Sequence, residues 1–186
     1  MYETFDWTNL ITKDDRSAIA NDVRSIIEQG DYYKNAPKYQ TTMEVFSIKE
    51  PHWSKLRMSF YWSCFAYHKG EVPIKHLKSW GVITSKKWEE ERDGLWHHHA
   101  WYANATLPRL SGIFYVELPE ENLGDKECGT EFAPKGIEDP ERVWSPPLIG
   151  HWIIYPAEIY HRPGILKSEK ERIVVAADLG WQELAS

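Results

Sequence analysis

Residues 150–177 read GHWIIYPAEIYHRPGILKSEKERIVVAA. An apolar run ends at Pro156, His161 follows in a turn, and a charged hairpin leads into a second apolar run that opens with Arg172. Short β-branched and aromatic runs bounded by Gly, Pro and charged turns predict two strands. Arg172 either faces solvent on an edge strand or points into the fold, where a guanidinium needs a partner such as a carboxylate.

The remainder of the chain predicts helices first and further strands later. Apolar residues recur at helical spacing over 16–29 and again over 52–67, with Pro51 opening the second helix and Gly30 and Gly70 marking the two ends. Further strands are predicted at 78–85, 110–118 and 129–132, and a surface excursion at 134–147.

Two helices followed by strands, without helices between the strands, favour an α+β fold over a doubly wound parallel sheet. A double-stranded β-helix, or jelly roll, suits this order. The length of 186 residues fits a single domain. We expect residues 1–77 to form a mainly helical N-terminal support and residues 78–181 to form the β-helix core.

A run of three histidines, His97, His98 and His99, lies inside the chain. Residues i and i+2 of a strand share a face, so His97 and His99 could project together while His98 points away. Imidazole nitrogens placed in this way can clamp a metal ion. The alternative is a polar loop packed over Trp96 and Trp101, and the triplet alone leaves both interpretations open.

Residues from about 78 to 180 together resemble the Fe(II)/2-oxoglutarate-dependent dioxygenase superfamily, in particular its small hydroxylase-like branches, including the phage-encoded type. The most specific part runs from Ile154 to Arg172, where an apolar strand, a histidine and an arginine follow in the family's order. The resemblance implies that His161 binds iron and that Arg172, eleven residues later, holds the far carboxylate of 2-oxoglutarate. Tyr115, in a strand similar to the family's third jelly-roll strand, would share that carboxylate.

The chain departs from the family at the first metal motif, His-x-Asp or His-x-Glu, because no histidine here is followed two positions later by an acid. Three arrangements follow from the resemblance. In the one we rank first, His97 and His99 bind the metal with His161, as in cupin-type dioxygenases. In the second, one histidine of the triplet binds with His161, and Glu131 supplies the carboxylate. In the third, the central histidine and Ala100 resemble the family's halogenases, in which a small residue leaves room for halide.

The chemistry implied by the resemblance needs an open metal site and dry surroundings. Fe(II) held by imidazoles or carboxylates on one face keeps positions for 2-oxoglutarate and O2. Apolar walls protect reactive species from water. Four residues are available either for such walls or for ordinary core packing, namely Trp96, Trp101, Ile113 and Trp152.

Composition limits the partners and the compartment. A net charge of −6 without clustered bases argues against nucleic acid or an anionic membrane as a main partner. Cys64 and Cys128 form no C-x-x-C pair, which favours a reducing cytoplasm. The first residues do not read as a signal peptide, and no apolar run approaches a membrane span. We expect a cytoplasmic protein whose substrate and oligomeric state the sequence leaves open.

We therefore expect an oxygenase that uses Fe(II), 2-oxoglutarate and O2 to hydroxylate an organic substrate, with decarboxylation of 2-oxoglutarate to succinate and no catalytic residues beyond the metal ligands. The alternative is a non-catalytic, cupin-like jelly-roll module that binds a metal or a small ligand, because a jelly roll by itself does not establish catalysis. His161, Arg172 and Tyr115 at family spacing favour the enzyme. The missing acid at the first metal motif favours the module.

Overall fold

The structure is a computed structural model that describes residues 1–33, 39–70, 72, 76–85, 96–100 and 108–181. These residues contain two α-helices and nine strands. The helices are α1 (Lys13–Glu28) and α2 (Pro51–His68). The strands are β1 (Glu3–Asp6), β2 (Tyr39–Gln40), β3 (His76–Thr84), β4 (Pro108–Glu117), β5 (Thr130–Ala133), β6 (Val143–Ser145), β7 (His151–Pro156), β8 (Tyr160–Pro163) and β9 (Arg172–Gly180).

Both predicted helices are confirmed, and α1 begins three residues earlier than its apolar pattern. The reason is a capping box, in which the Thr12 hydroxyl accepts a hydrogen bond from the Asp15 backbone N–H and the Asp15 carboxylate accepts one from the Thr12 N–H. Helix α2 opens with Pro51 at its first turn, as predicted. It closes at Lys69, which adopts a left-handed conformation with φ of 58°.

The strands form two antiparallel sheets. A six-stranded sheet has the order β1-β7-β4-β9-β3-β2, and a three-stranded sheet has the order β6-β5-β8. His97 pairs with His161 as an isolated antiparallel bridge, which places the histidine triplet beside β8. This arrangement of two sheets and two supporting helices confirms the predicted double-stranded β-helix.

The helices cover the outer face of the large sheet and approach it most closely at two glycines. A Cβ atom at Gly81 would lie 2.6 Å from a Val23 methyl group, and one at Gly112 would lie 2.7 Å from the Phe60 ring. The Phe60 ring also packs 4.8 Å from the Trp152 ring. The residues that β9 turns toward this helix layer belong to the main core, namely Ile173, Val175, Ala177 and Leu179.

The alternate residues of β9 face the space between the two sheets. Arg172, Val174 and Ala176 line a cavity there. Asp178 points to the same face of β9 as these residues and contacts His99. The strand therefore carries a cation near its start and an acid near its end, both on the cavity side.

The N-terminal segment contributes more than helical support. Strand β1 pairs with β7 at one edge of the large sheet, and β2 pairs with β3 at the other. Strand β6 lies within the segment expected to be a surface excursion, and the turn expected around His161 is strand β8. Across the described ranges, no helix combines the length and apolar character that a membrane crossing needs.

Candidate active site

An open cavity lies between the two sheets. Its apolar wall comes from β3, β4 and β9 and consists of Trp80, Val82, Ile113, Val174 and Ala176. Its polar lining consists of Thr84, His97, His99, Tyr115, Thr130, Tyr155, His161 and Arg172. The cavity thus collects all the residues of the first-ranked metal arrangement and both predicted cosubstrate residues.

His97, His99 and His161 bring one nitrogen each within 4.8 Å of one another. Backbone pairing sets this geometry, because the His97 N–H donates to the His161 carbonyl at 3.1 Å and the His161 N–H donates to the His97 carbonyl at 2.9 Å. The His99 N–H donates to the Ala157 carbonyl at 2.8 Å. The i, i+2 spacing then turns His97 and His99 to the same side, with ring centroids 5.2 Å apart.

Contacts at Nδ1 orient two of the three rings. His161 Nδ1 lies 3.1 Å from the Ile159 carbonyl, which can only accept, so this nitrogen carries the proton. His99 Nδ1 lies 2.6 Å from the Asp178 carboxylate, which fixes the same tautomer. In both rings, Nε2 is left as the nitrogen with the lone pair that a metal needs.

Asp178 is a site residue that the sequence analysis did not single out. It is 0 % exposed, and its Oδ1 accepts hydrogen bonds from the Ser111 hydroxyl at 2.7 Å and from His99. Its Oδ2 is buried and has no hydrogen-bond partner within the described ranges. Asp178 is the single acid in the apolar run IVVAADLG at 173–180. It does not stand two positions after a histidine, so the His-x-acid pattern does not identify it.

The Tyr155 hydroxyl lies 3.0 Å from His161 Nε2. Because His161 Nδ1 is the protonated nitrogen, the phenol donates this hydrogen bond to Nε2. Burial raises the pKa of Tyr155 well above its ordinary value, and the negative charge of Asp178 raises it further. Tyr155 is therefore a neutral hydrogen-bond donor. Its hydroxyl occupies the Nε2 lone pair that a metal bound to His161 would use.

Arg172 lies inside the fold, 3 % exposed, and not at a sheet edge. Its Nε donates to the Thr84 hydroxyl at 3.0 Å, and its Nη1 donates to the Cys128 carbonyl at 2.7 Å. Burial lowers the pKa of Arg172, but a guanidinium stays protonated in a protein. Among the described side chains no carboxylate pairs with it, so within the described residues the positive charge at this end of the cavity has no anionic counterpart.

The Tyr115 hydroxyl lies next to this charge and 2.8 Å from the Thr130 hydroxyl. Burial raises the pKa of Tyr115, and the positive charge of Arg172 opposes that rise. A buried cation beside neutral hydroxyl donors fits a carboxylate ligand, because such an anion needs full hydrogen bonding once water is removed.

Glu131 does not approach the three histidines. In the β5–β8 register, Phe132 lies opposite His161, whereas Glu131 lies opposite Arg162, so the Glu131 side chain projects from the other face. Its carboxylate accepts from Arg162 Nε at 2.7 Å. Arg142 Nε lies 3.9 Å away on the same carboxylate.

The central histidine of the triplet is also turned away. The His98 ring packs edge-on against Tyr160, with centroids 4.5 Å apart, and its Nδ1 accepts the Ala100 N–H at 3.2 Å. The structure therefore does not place His98 and Ala100 with the other histidines, and His97, His99 and His161 are the ones it brings together.

Of the four residues considered for apolar walls, Ile113 lines the cavity. Trp152 faces the helices, where its indole N–H donates to the Ser59 hydroxyl at 2.8 Å. Trp96 stacks under the Arg162 guanidinium, 4.3 Å from the ring centroid. Trp101 lies outside the described residues. Trp80, which the sequence did not distinguish from the other tryptophans, lines the cavity.

The donor set fits the metal that the fold implies. Three imidazoles are suitable ligands for Fe(II), as for Zn(II), Cu(II) and Ni(II). Two of them are held in the correct tautomer by a carboxylate and a carbonyl, which is the usual support of a metal-binding histidine.

No protein-family model and no curated protein match the sequence. Solved structures match the fold. A prolyl-4-hydroxylase from Pseudomonas putida superposes with a TM-score of 0.67 at 11% identity, covering 98% of this chain and 93% of that chain. A viral collagen prolyl hydroxylase from Paramecium Bursaria Chlorella virus-1, a 2-oxoglutarate complex, gives 0.61 at 12% identity, with 98% and 96% covered.

The epimerase SnoN, in complex with Fe3+, α-ketoglutarate and nogalamycin RO, gives a TM-score of 0.66 at 11% identity, covering 96% of this chain and 78% of that chain. These similarities extend over nearly the whole chain and agree with the family resemblance of the sequence. The chain therefore has the double-stranded β-helix fold of the Fe(II)/2-oxoglutarate-dependent oxygenases.

Proposed function

We propose that the chain is an Fe(II)- and 2-oxoglutarate-dependent oxygenase that hydroxylates an organic substrate with O2 while 2-oxoglutarate is decarboxylated to succinate. One observation carries this proposal. A single cavity contains three converging imidazoles and a buried guanidinium that has no carboxylate partner in the described part of the chain. The first feature suits a metal, and the second suits the far carboxylate of a cosubstrate bound to that metal.

His97, His99 and His161 would hold Fe(II) on one side. When bound, Fe(II) supplies the redox chemistry that activates O2, at coordination positions that three protein ligands leave open. The apolar residues of β3 and β9, including Trp80 and Val174, would exclude water from that space.

Arg172 would bind the far carboxylate of 2-oxoglutarate, and the Tyr115 hydroxyl would share it. The guanidinium is held from two sides by the Thr84 hydroxyl and the Cys128 carbonyl. It therefore does not have to be ordered when the anion arrives, which reduces the entropic cost of binding.

The test is anaerobic addition of Fe(II) and 2-oxoglutarate to the full chain, followed by the visible charge-transfer absorption of the chelate and then by succinate release after O2 is admitted. We expect both signals from the natural chain and neither from His161→Ala. His151→Ala is the matched control, because His151 lies on β7 beside Asp6 and does not line the cavity. It should behave as the natural chain does.

The same experiment separates the enzyme from the binding module. Bound metal without an absorption change on adding 2-oxoglutarate, and without succinate, would contradict the proposal and favour a cupin-like module that binds metal alone.

A further inference from the structure

We propose that Asp178 is a positioning residue for the metal centre: it orients His99 and supplies from β9 the negative charge that the chain lacks in its first metal motif. This inference rests on the proposed function, because it concerns the same three histidines. It adds a residue on a different strand, 79 positions from His99.

The contact geometry is that of a carboxylate holding a histidine. Asp178 Oδ1 lies 2.6 Å from His99 Nδ1, and the Ser111 hydroxyl donates to the same oxygen at 2.7 Å. Ser111 lies directly opposite Asp178 in the β4–β9 register, so the sheet itself fixes the carboxylate. The His99 ring is thereby fixed at Nδ1, in a group where one nitrogen of each of the three histidines lies within 4.8 Å of the others.

Within the described residues, the contacts of Asp178 Oδ1 are hydrogen bonds from His99 and Ser111, and no cationic side chain pairs with it. Its second oxygen, Oδ2, is fully buried and accepts no hydrogen bond from the described residues. A buried carboxylate that is only half satisfied is costly, and it is retained most simply where a positive charge arrives nearby. A divalent cation bound at His99 Nε2 would be such a charge, separated from the Asp178 carboxylate by one imidazole ring.

This arrangement accounts for the departure in the sequence. A His-x-Asp motif places one anionic oxygen directly on the metal, whereas three imidazoles place none there. Asp178 supplies one negative charge behind His99 instead of on the metal itself. Its hydrogen bond to Nδ1 makes the His99 imidazole a more basic metal ligand.

Co(II) is the probe, because its absorption reports both binding and coordination geometry without turnover. The metal-free full chain is titrated with Co(II) at fixed pH, and Asp178→Asn is compared with it. We expect Asp178→Asn to bind Co(II) roughly 10- to 100-fold more weakly, with an altered ligand-field spectrum. The matched control is Asp22→Asn, which alters an equivalent carboxylate contact, 2.8 Å from His52 Nε2, between the two helices. Its titration should equal that of the natural chain.

Equal affinity and an unchanged spectrum in Asp178→Asn would overturn this inference while leaving the metal site in place. Failure of the natural chain itself to bind Co(II) would overturn the proposed function together with it. If Asp178→Asn does not fold, ¹⁵N-edited NMR of the histidine side chains in the metal-free natural chain decides the matter. The inference requires a proton on His99 Nδ1, and a neutral ring with its proton on Nε2 would refute it.

Discussion

At the scale of single residues, two buried side chains of β9 stand out because the described residues do not fully pair their polar groups. Within that part of the chain, Arg172 is a cation without a carboxylate partner, and Asp178 is an anion with one oxygen that accepts no hydrogen bond. They lie on the cavity side of the same strand, six positions apart. Interiors avoid such groups unless a ligand completes them, so both point to occupants of the cavity.

Arg172→Leu should raise the 2-oxoglutarate concentration needed for succinate formation steeply while Co(II) still binds. The reason is the loss of a buried charge-assisted pair, worth on the order of 2–5 kcal/mol when its partner stays buried. Tyr115→Phe should shift the same curve less, because it removes a neutral donor. Saturation curves for 2-oxoglutarate check both variants. Arg24→Leu, on the half-exposed Arg24–Glu117 pair, is the control; an unaltered curve for Arg172→Leu would place the carboxylate elsewhere.

Tyr155→Phe should increase Co(II) affinity. In the natural chain, metal binding at His161 Nε2 must first release the hydrogen bond from the Tyr155 hydroxyl, which spans 3.0 Å. A net hydrogen bond is worth about 0.5–1.5 kcal/mol, so its removal should tighten binding by roughly 2- to 10-fold. Burial raises the pKa of Tyr155 well above its ordinary value, so the phenol stays neutral and able to donate this hydrogen bond at neutral pH.

Isothermal titration measures this effect. Tyr160→Phe is the control, since the Tyr160 ring packs against His98 and does not line the cavity. Weaker Co(II) binding in Tyr155→Phe would mean that the phenol positions His161 and does not compete for its lone pair.

The sequence singles out His161 and Arg172 because both belong to one short segment whose order is characteristic of a family, and the structure places both at the cavity. Asp178 could not be found in that way. Its relation to His99 depends on the pairing of β4 with β9 and on the path of the triplet past the end of β7, and no local spacing encodes it. Trp80 is a similar case, since only the β3–β9 register turns it toward the cavity.

At the scale of elements, short chain segments beside β5 and β8 hold Arg172 in place. Gly129 precedes β5, and a Cβ atom there would lie 1.9 Å from the Ser145 carbonyl oxygen. Gly164 follows β8, and a Cβ atom there would lie 2.1 Å from the Glu127 carbonyl oxygen. The Gly164 N–H donates to the Gly129 carbonyl at 2.7 Å, which closes the two segments together around the carbonyls that Arg172 contacts.

Gly129→Ala should therefore destabilise the fold and weaken 2-oxoglutarate binding together. Overpacking against backbone costs typically 1–3 kcal/mol, which corresponds to a decrease in Tm of roughly 2–12 °C for a domain of this size. Thermal unfolding and the 2-oxoglutarate saturation curve measure the two effects. Gly70→Ala, where a Cβ atom would meet nothing within 4 Å, should change neither. A stable Gly129→Ala with a natural saturation curve would disprove the role of this segment.

Long elements were predictable and short ones were not. The pattern of α2 and the alternation in β4 and β9 extend over enough residues to define a period. Strand β2 has two residues and β6 has three, so neither shows a repeat. Strand β8 has four residues and contains a proline and two polar side chains, which is why its sequence is typical of a turn.

At the scale of the whole molecule, the helix layer covers one face of the large sheet, and the cavity lies on the other face, between the two sheets. The outer face of the large sheet is filled by aromatic residues of α2, such as Phe60, packing on Trp152. The inner face is packed in part by an apolar cluster that includes Ile113, Ile153 and Tyr155. The cavity beside this cluster receives the three histidines, two from residues 96–100 and one from β8. The chain carries a net charge of −6, yet the buried cation Arg172 lines the cavity. The preference for an anion that we propose there would be a local property of the cavity, which the overall charge does not reveal.

Ligand-linked stability of the full chain tests this layout and separates the candidate metal ligands. A ligand at 100 times its Kd stabilises a fold by about 2.7 kcal/mol, so saturating Co(II) should raise Tm by roughly 5–11 °C. His97→Ala and His99→Ala should each lose this increment, whereas His98→Ala should retain it.

Glu131→Gln should lower the starting Tm, because it leaves Arg162 buried with a weaker partner, but should keep the full increment. The starting Tm thus reports the structural role of Glu131, and the increment reports metal ligation. A Glu131→Gln protein without the increment, together with an unaffected His99→Ala, would transfer the third ligand from His99 to Glu131.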